Sequence, residues 1–185
     1  MSYMDEKIIC RARAKIPSLK EIKEKVQHIA RLLKFDDVND YVFESKHMRN
    51  LAELKLRNFD YGKLVIFNLV ISSGEIQEDK EYTFTVNNPS DFVEFIEKMG
   101  FTLSLVLHQH IEVYTYEDLT IEIASTKEVG NLIELKIHSS IEKSMQSKEK
   151  VMNIARKLGI EQQLINSSEY FKILTDKAPI HQGSA

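Results

Sequence analysis

Alternation of apolar and polar residues defines the first element. From Ile8 to Ala14, one face carries Lys7, Ile9, Arg11 and Arg13, and the other carries Ile8, Cys10, Ala12 and Ala14. That two-residue period predicts a strand. Pro17 then breaks the chain, and Ser18 followed by Glu21 makes a capping box. Leu19, Ile22, Val26, Ile29 and Leu33 recur at helical spacing, which predicts a helix from Ser18 to Lys34. Strands are expected at Val38 to Glu44 and Ala52 to Phe59, with a polar loop at Ser45 to Asn50 between them. Leu64 to Ile71 is apolar on both faces, as a covered strand is. Ser72, Ser73 and Gly74 end it, and Glu75 to Lys80 reads as a charged connection.

The second half continues with a strand from Glu81 to Val86, then Asn88 and Pro89 as cap and first position of a helix. Phe92, Phe95, Ile96 and Met99 form its apolar stripe, and Gly100 stops it. Ser104 to Thr115, Leu119 to Ser125 and Leu132 to His138 read as strands. Ser147 is expected to cap a helix ending before Gly159, and a last short helix covers Ser168 to Leu174. The sum is about eight strands with helices after the first, after the middle and at the end. Short links between neighbouring strands imply a largely antiparallel sheet in an α+β chain. The expected organisation is one domain over residues 1–174 and a loose tail over 175–185.

Composition narrows the partners. Hydrophobic residues at 43% and charged residues at 29% fit a globular chain with a real core. A net charge of −3 gives no global attraction to nucleic acid or membrane, so any anion site is local. No apolar run reaches the length of a membrane span, and the first ten residues do not read as a signal peptide. Cys10 is the only cysteine, so no internal disulfide forms. A cytoplasmic protein, with a homodimer as the default assembly, is the expectation. The chain has no Walker-A loop and no Gly-rich dinucleotide turn. Cys10 lies on an apolar face, which argues for burial against a role as nucleophile.

The polar strand faces carry the candidate chemistry. One set contains Arg11, Arg13, Lys55, Arg57, His108, His110 and Lys136, with Glu81, Glu112, Glu122 and Glu134 among them. Two arrangements fit. The polar faces meet water while helices cover the other side, or the sheet closes and the polar faces line its interior. Periodicity does not separate the two. His108 and His110 share a strand face, so protonated they reinforce an anion site below about pH 6.5. Neutral, they are a candidate transition-metal pair with Glu112 or Glu122.

Five segments, in order, resemble the CYTH superfamily of triphosphate tunnel enzymes, whose members include class IV adenylyl cyclases and thiamine triphosphatases. They are KIICRAR at 7–13, NDYVF at 39–43, AELKLRNFDYGKLVIF at 52–67, the strand-helix unit at 81–101, and the last strands at 105–136. SSEYFKIL resembles the closing helix of the cyclase-like branch. The resemblance implies an eight-stranded antiparallel barrel or tunnel with flanking helices, lined by bases for phosphate and acids for Mg²⁺ or Mn²⁺. Lys55, Arg57 and Arg11 then match phosphate contacts, and Glu81 and Glu134 match metal-binding acids. Arg13, His108, His110 and Lys136 are further candidates for phosphate.

The departures weigh as much as the matches. Lys7 and Ile9 stand where the family's first strand has two acids. Asn39, Ala124 and Lys136 replace further acids, and Asn68 or Leu69 stands where a base is expected. Metal-assisted phosphoryl transfer needs carboxylates to place the cation. The resemblance therefore implies binding of a triphosphate or other phosphorylated anion, with metal-dependent catalysis weak or lost. An active triphosphatase or adenylyl cyclase and a non-catalytic interaction module are the alternatives.

Overall fold

A computed structural model describes residues 7–60 and 62–176; the expected tail lies outside them from residue 177 onward. Eight strands run antiparallel: β1 (Lys7–Lys15), β2 (Arg31–Glu44), β3 (Ala52–Phe59), β4 (Gly62–Ser72), β5 (Gln77–Thr85), β6 (Thr102–Tyr116), β7 (Leu119–Thr126) and β8 (Gly130–Ser140). Their order is β5-β4-β3-β2-β6-β7-β8-β1, and β1 also pairs with β5. The sheet thus closes into a ring, which leaves no continuous free edge. A two-residue strand, β9 (Leu164–Ile165), pairs with Arg13 and Ala14 of β1.

Closure rests on residues read above as a connection. Ile9 faces Asp79 and Arg11 faces Gln77 across the β1–β5 seam. Gln77 to Lys80 gave no strand signal because both of its faces are polar. Gln77 and Asp79 are buried, while Glu78 accepts hydrogen bonds from Ser72 and Ser144 and pairs with Lys148.

Two helices, α1 (Leu19–Ile29) and α3 (Ser144–Leu158), cover the outer face of β1, β7 and β8. The apolar side of β1 (Ile8, Cys10, Ala12, Ala14) packs there with Ile22, Val26, Val151, Ile154, Ala155 and Leu158. Cys10 is fully buried, as its apolar neighbours implied. On the opposite wall, α2 (Pro89–Lys98) packs Ile96, with Phe92 and Val93 beside it, on Phe43, Leu54, Leu56 and Val65. Its stripe is narrower than the spacing suggested, for Phe95 and Met99 are exposed. The Asn88 cap accepts from the Asp91 N–H, and Gly100 at φ +89° ends the turn.

Two helix boundaries differ from expectation. The first helix stops at Ile29, because Arg31 to Val38 pairs with β6 instead. Phe35, Asp36 and Asp37 are poor helix formers, so tertiary pairing overrides the periodicity that reached Leu33. The third helix starts at Ser144, after a 3-10 turn at Ile141–Lys143, and not at Ser147. The Ser147 hydroxyl instead lies 2.8 Å from the Ser139 hydroxyl. Gly159 stops this helix at φ +72°, as its position implied.

The last helix, α4 (Ser167–Thr175), is capped by Asn166 in a reciprocal box with Glu169. It sets Tyr170 and Leu174 against Val42, Leu105, Leu107 and Leu132. Those four lie on the same strand faces as Asp40, Gln109 and Glu134, so α4 closes one end of the ring from inside. No helix among the described residues is long and apolar enough to cross a membrane.

Candidate functional site: an ion-paired lumen

Strand parity aims one polar face of the ring inward. From β1 come Arg11 and Arg13, from β3 Glu53, Lys55 and Arg57, and from β8 Glu134 and Lys136. These seven, with β2 Asp40, β4 Asn68, β5 Asp79 and Glu81, and β7 Glu122, form two ion-paired sets: Arg57 with Asp40, and the remainder joined through Glu134 and Glu53. Arg11 is only 2% exposed and Asp40 is wholly buried. Burial of that depth settles the choice left open by periodicity: the basic faces of β1, β3 and β8 line the interior.

Each lumen cation has a carboxylate. Arg57 donates Nε and Nη2 to the two oxygens of Asp40 at 2.7 Å each, and Gln109 adds a third bond to Asp40 at 2.7 Å. Arg13 donates Nε to Glu134 at 2.7 Å and Nη2 to Glu53 at 3.0 Å, and its guanidinium lies 3.9 Å over the Tyr170 ring. Lys55 reaches Glu53 at 2.8 Å. Lys136 lies 2.6 Å from Glu122 and 3.8 Å from Glu134. Arg11 meets Glu134 at 3.1 Å, Glu81 at 2.9 Å and Asp79 at 3.2 Å.

The interior is therefore not mainly cationic. Five bases (Arg11, Arg13, Lys55, Arg57, Lys136) face six acids (Asp40, Glu53, Asp79, Glu81, Glu122, Glu134). Asp40, Glu53 and Asp79 went unread in the sequence. Asp40, one position after Asn39, puts an acid on the inner face, while Asn39 pairs with His108 on the outer face. Glu53 was legible, two residues before Lys55 on the same face. Asp79 was hidden with the unrecognised start of β5.

His108 and His110 do not join the lumen. They project from the outer face of β6, with side chains 57% and 40% exposed. His108 pairs with Glu128 at 2.5 Å, and His110 with Asp37 at 2.8 Å. Glu112 is also outside, bound to Lys23 at 2.5 Å and accepting from Tyr114 at 2.6 Å, whereas Glu122 is inside. The histidine pair is thus separated from the charges it was expected to reinforce, and its two acid candidates lie on opposite faces.

The shifts in acidity follow from this packing. Burial acts to raise Glu134, but Arg11, Arg13, Lys136 and Lys55 outweigh it and hold the carboxyl well below its ordinary value. Burial likewise acts against ionised Glu53, while Lys55 and Arg13 pull it down to about 2. Asp79 goes the other way: burial raises it despite Arg11 and Arg13. A depressed carboxyl adds stability that is complete above its unfolded pKa and is lost as pH falls through the folded one. For Glu53 that window runs from its ordinary 4.5 down to about 2. Thermal midpoints measured from pH 7 to pH 2 are expected to fall steeply below about pH 4.5. Glu53→Gln lowers the plateau and flattens that acid limb; an unchanged limb would show that Glu53 is not the linked group.

Little space is left inside. A cavity of about 50 Å³ remains, bounded by Arg13, Lys55, Arg57, Glu122, Glu134 and Tyr170. Larger hollows lie elsewhere: about 240 Å³ between α4 and residues 44–52, and about 450 Å³ on the outer face beside His108 and His110. The first takes in Glu53 alone of the lumen charges, and the second none. The two acids expected to hold Mg²⁺ or Mn²⁺, Glu81 and Glu134, both grip Arg11. Among the described residues, no three His, Cys, Asp or Glu side chains gather to hold a metal ion. The arrangement does not fit a resident divalent cation.

Comparison with solved structures defines the class of fold. The chain superposes on a Pyrococcus horikoshii OT3 protein with a TM-score of 0.76 at 18% identity, covering 89% of this chain and 98% of that one. An adenylate cyclase-like protein from Vibrio parahaemolyticus gives 0.68 at 12% identity, covering 85% and 92%. An adenylyl cyclase-like protein from Hippeastrum, for which a dominant triphosphatase activity is reported, gives 0.55 at 15% identity, covering 83% and 88%. No family model and no curated protein sequence matches the chain. The closed eight-stranded antiparallel ring with its four helices is a CYTH-type tunnel fold. At these identities the likeness establishes the fold alone.

Proposed function

We propose that this CYTH-fold chain binds a compact phosphorylated anion at Arg13, Lys55 and Arg57 and has lost metal-dependent triphosphate cleavage. One observation carries the reading: the cavity left inside the ring is bordered by these three cations. Each keeps donors beyond its described contacts. Arg13 and Arg57 each use Nε and Nη2, which leaves Nη1, and Lys55 uses one of its three protons. A volume of about 50 Å³ holds a few waters or one phosphoryl-sized group. A triphosphate chain needs several ion pairs to open first. Lost catalysis follows from the acids, since carboxylates engaged with Arg and Lys are poor at placing Mg²⁺ or Mn²⁺.

Thermal midpoints with orthophosphate, pyrophosphate and tripolyphosphate test this directly. Orthophosphate or pyrophosphate is expected to raise the midpoint without added metal, by linkage of binding to the native state. Lys55→Met abolishes the rise, and phosphate release from ATP stays at background with or without Mn²⁺. Metal-dependent release well above background would restore the enzyme reading. No anion effect at all would remove the binding reading.

A second reading, an interaction module, has one specific support. Leu32, Leu33 and Phe35 are exposed on the half of β2 that pairs only with β6. An exposed apolar stretch on a one-sided strand is a ready surface for another chain. Absence of an anion effect together with concentration-dependent self-association would favour it.

A further inference from the structure

We propose that the Arg11 guanidinium is this chain's built-in substitute for a divalent cation, and that removing it opens a metal site. The inference rests on the inner seam of β1 with β4, β5 and β8, and not on an anion at Lys55.

Arg11 is enclosed by oxygen. Its Nη1 donates to Glu134 at 3.1 Å. Its Nη2 donates to Glu81 at 2.9 Å, to Asp79 at 3.2 Å and, more weakly, to the Asn68 side-chain oxygen at 3.4 Å. Nε lies 3.1 Å from the other Asp79 oxygen, as an ion-pair approach without hydrogen-bond angles. Three carboxylates and one amide oxygen, from three strands, thus surround one charge carried by a fourth strand. Carboxylate and amide oxygens are the donors that hard divalent cations take.

The surroundings support this assignment over an ordinary ion pair. Arg13, the next inward residue, has two carboxylates and the Tyr170 ring, while Arg11 has three carboxylates and no ring. Asn68 turns its oxygen to the guanidinium while its buried Nδ2 has no partner among the described residues. The amide is oriented for a cation at the expense of its own donor. The guanidinium occupies the centre the acids converge on. Cut back to Cβ, that centre leaves Asp79, Glu81 and Glu134 without the one guanidinium that contacts all three. The two remaining cations on Glu134, Arg13 and Lys136, make no ion pair with Asp79 or Glu81, though Arg13 draws on Asp79 and Lys136 on Glu81 from farther away. A doubly charged ion supplies what is missing, with modest inward movement from hydrogen-bond to coordination distance.

Three variants test the assignment: Arg11→Ala, Arg11→Lys, and Arg11→Ala with Glu81→Gln. Each is compared with the unmodified chain by thermal midpoint in EDTA, in Mn²⁺ and in Ca²⁺, and by the fraction of Mn²⁺ bound from its electron paramagnetic resonance signal. The unmodified chain and Arg11→Lys are expected to ignore both ions. Arg11→Ala falls in midpoint in EDTA and regains most of the loss in Mn²⁺ or Ca²⁺, with one Mn²⁺ bound per chain. Adding Glu81→Gln removes that rescue. Arg11→Ala that stays unfolded or unchanged in both ions overturns the proposal. So does Mn²⁺ binding by the unmodified chain at Glu81 and Glu134. Loss of the phosphate effect on the unmodified chain tests the anion reading separately and leaves this outcome untouched.

Discussion

Glu134→Ala is expected to be among the most damaging single substitutions in the ring, lowering the unfolding free energy by roughly 3–5 kcal/mol. Its carboxylate is shared by Arg11, Arg13 and Lys136, with one oxygen taking both arginines. Removing it leaves three buried or half-buried cations short of a counter-charge, which costs far more than the pair itself contributes. Glu134→Gln separates the two effects, because it keeps volume and hydrogen-bonding capacity but not charge. Urea unfolding should show a lower midpoint with an unchanged slope. Glu122→Ala is the contrast, since Lys136 keeps Glu134 nearby. Losses under about 1 kcal/mol for both Glu134 variants would mean that water, and not Glu134, balances the arginines.

The effect is large because of how the ring is built. Apolar outer faces pack on α1, α2 and α3, so the inner faces carry the polar residues and have little water to solvate them. Charges placed there must pair with each other or with a ligand. The lumen is therefore both a structural core and, among the described residues, a place where the chain concentrates buried basic groups. Any ligand must compete with carboxylates already in position, which favours a small anion over a long one.

Much of this was legible from alternation alone. The two-residue period put Arg11 and Arg13 opposite Cys10 and Ala12, and Lys55 and Arg57 opposite Leu54 and Leu56, as the folded ring does. Asn88, Gly100 and Gly159 marked helix ends through backbone requirements that do not depend on the rest of the fold. What escaped depended on long-range pairing. Arg31 to Lys34 looks helical until β6 is beside it, and Gln77 to Lys80 looks like a loop until β1 closes against it. The charge balance was misread for the same reason. Arginine and lysine stood out in the alternating segments, whereas Asp79 sat in the segment without alternation and Asp40 lay one position from where an acid was sought. His108 and His110 show the limit of parity: their strand was assigned, but which of its faces turns inward is fixed by Leu107 and Gln109, packed beneath Val42 and against Asp40.

Asp40→Ala is expected to match Glu134→Ala in cost, again roughly 3–5 kcal/mol, since it strands the doubly bonded Arg57 and the Gln109 amide. The informative step is the pair. Asp40→Leu combined with Arg57→Met removes both charges at similar volume. Such replacements of buried ion pairs are often neutral or stabilising by roughly 1–4 kcal/mol. The double variant is therefore expected to be at least as stable as the unmodified chain, and a double-mutant cycle should give a coupling that offsets most of either single loss. If stability were the reason for the pair, the double variant would be clearly weaker. On the anion reading, it is stable but no longer gains thermal midpoint from phosphate, because one wall of the cavity has lost its donors. A stable double variant that still responds fully to phosphate would move the anion site away from Arg57, and with it the argument that the lumen charges are kept for binding.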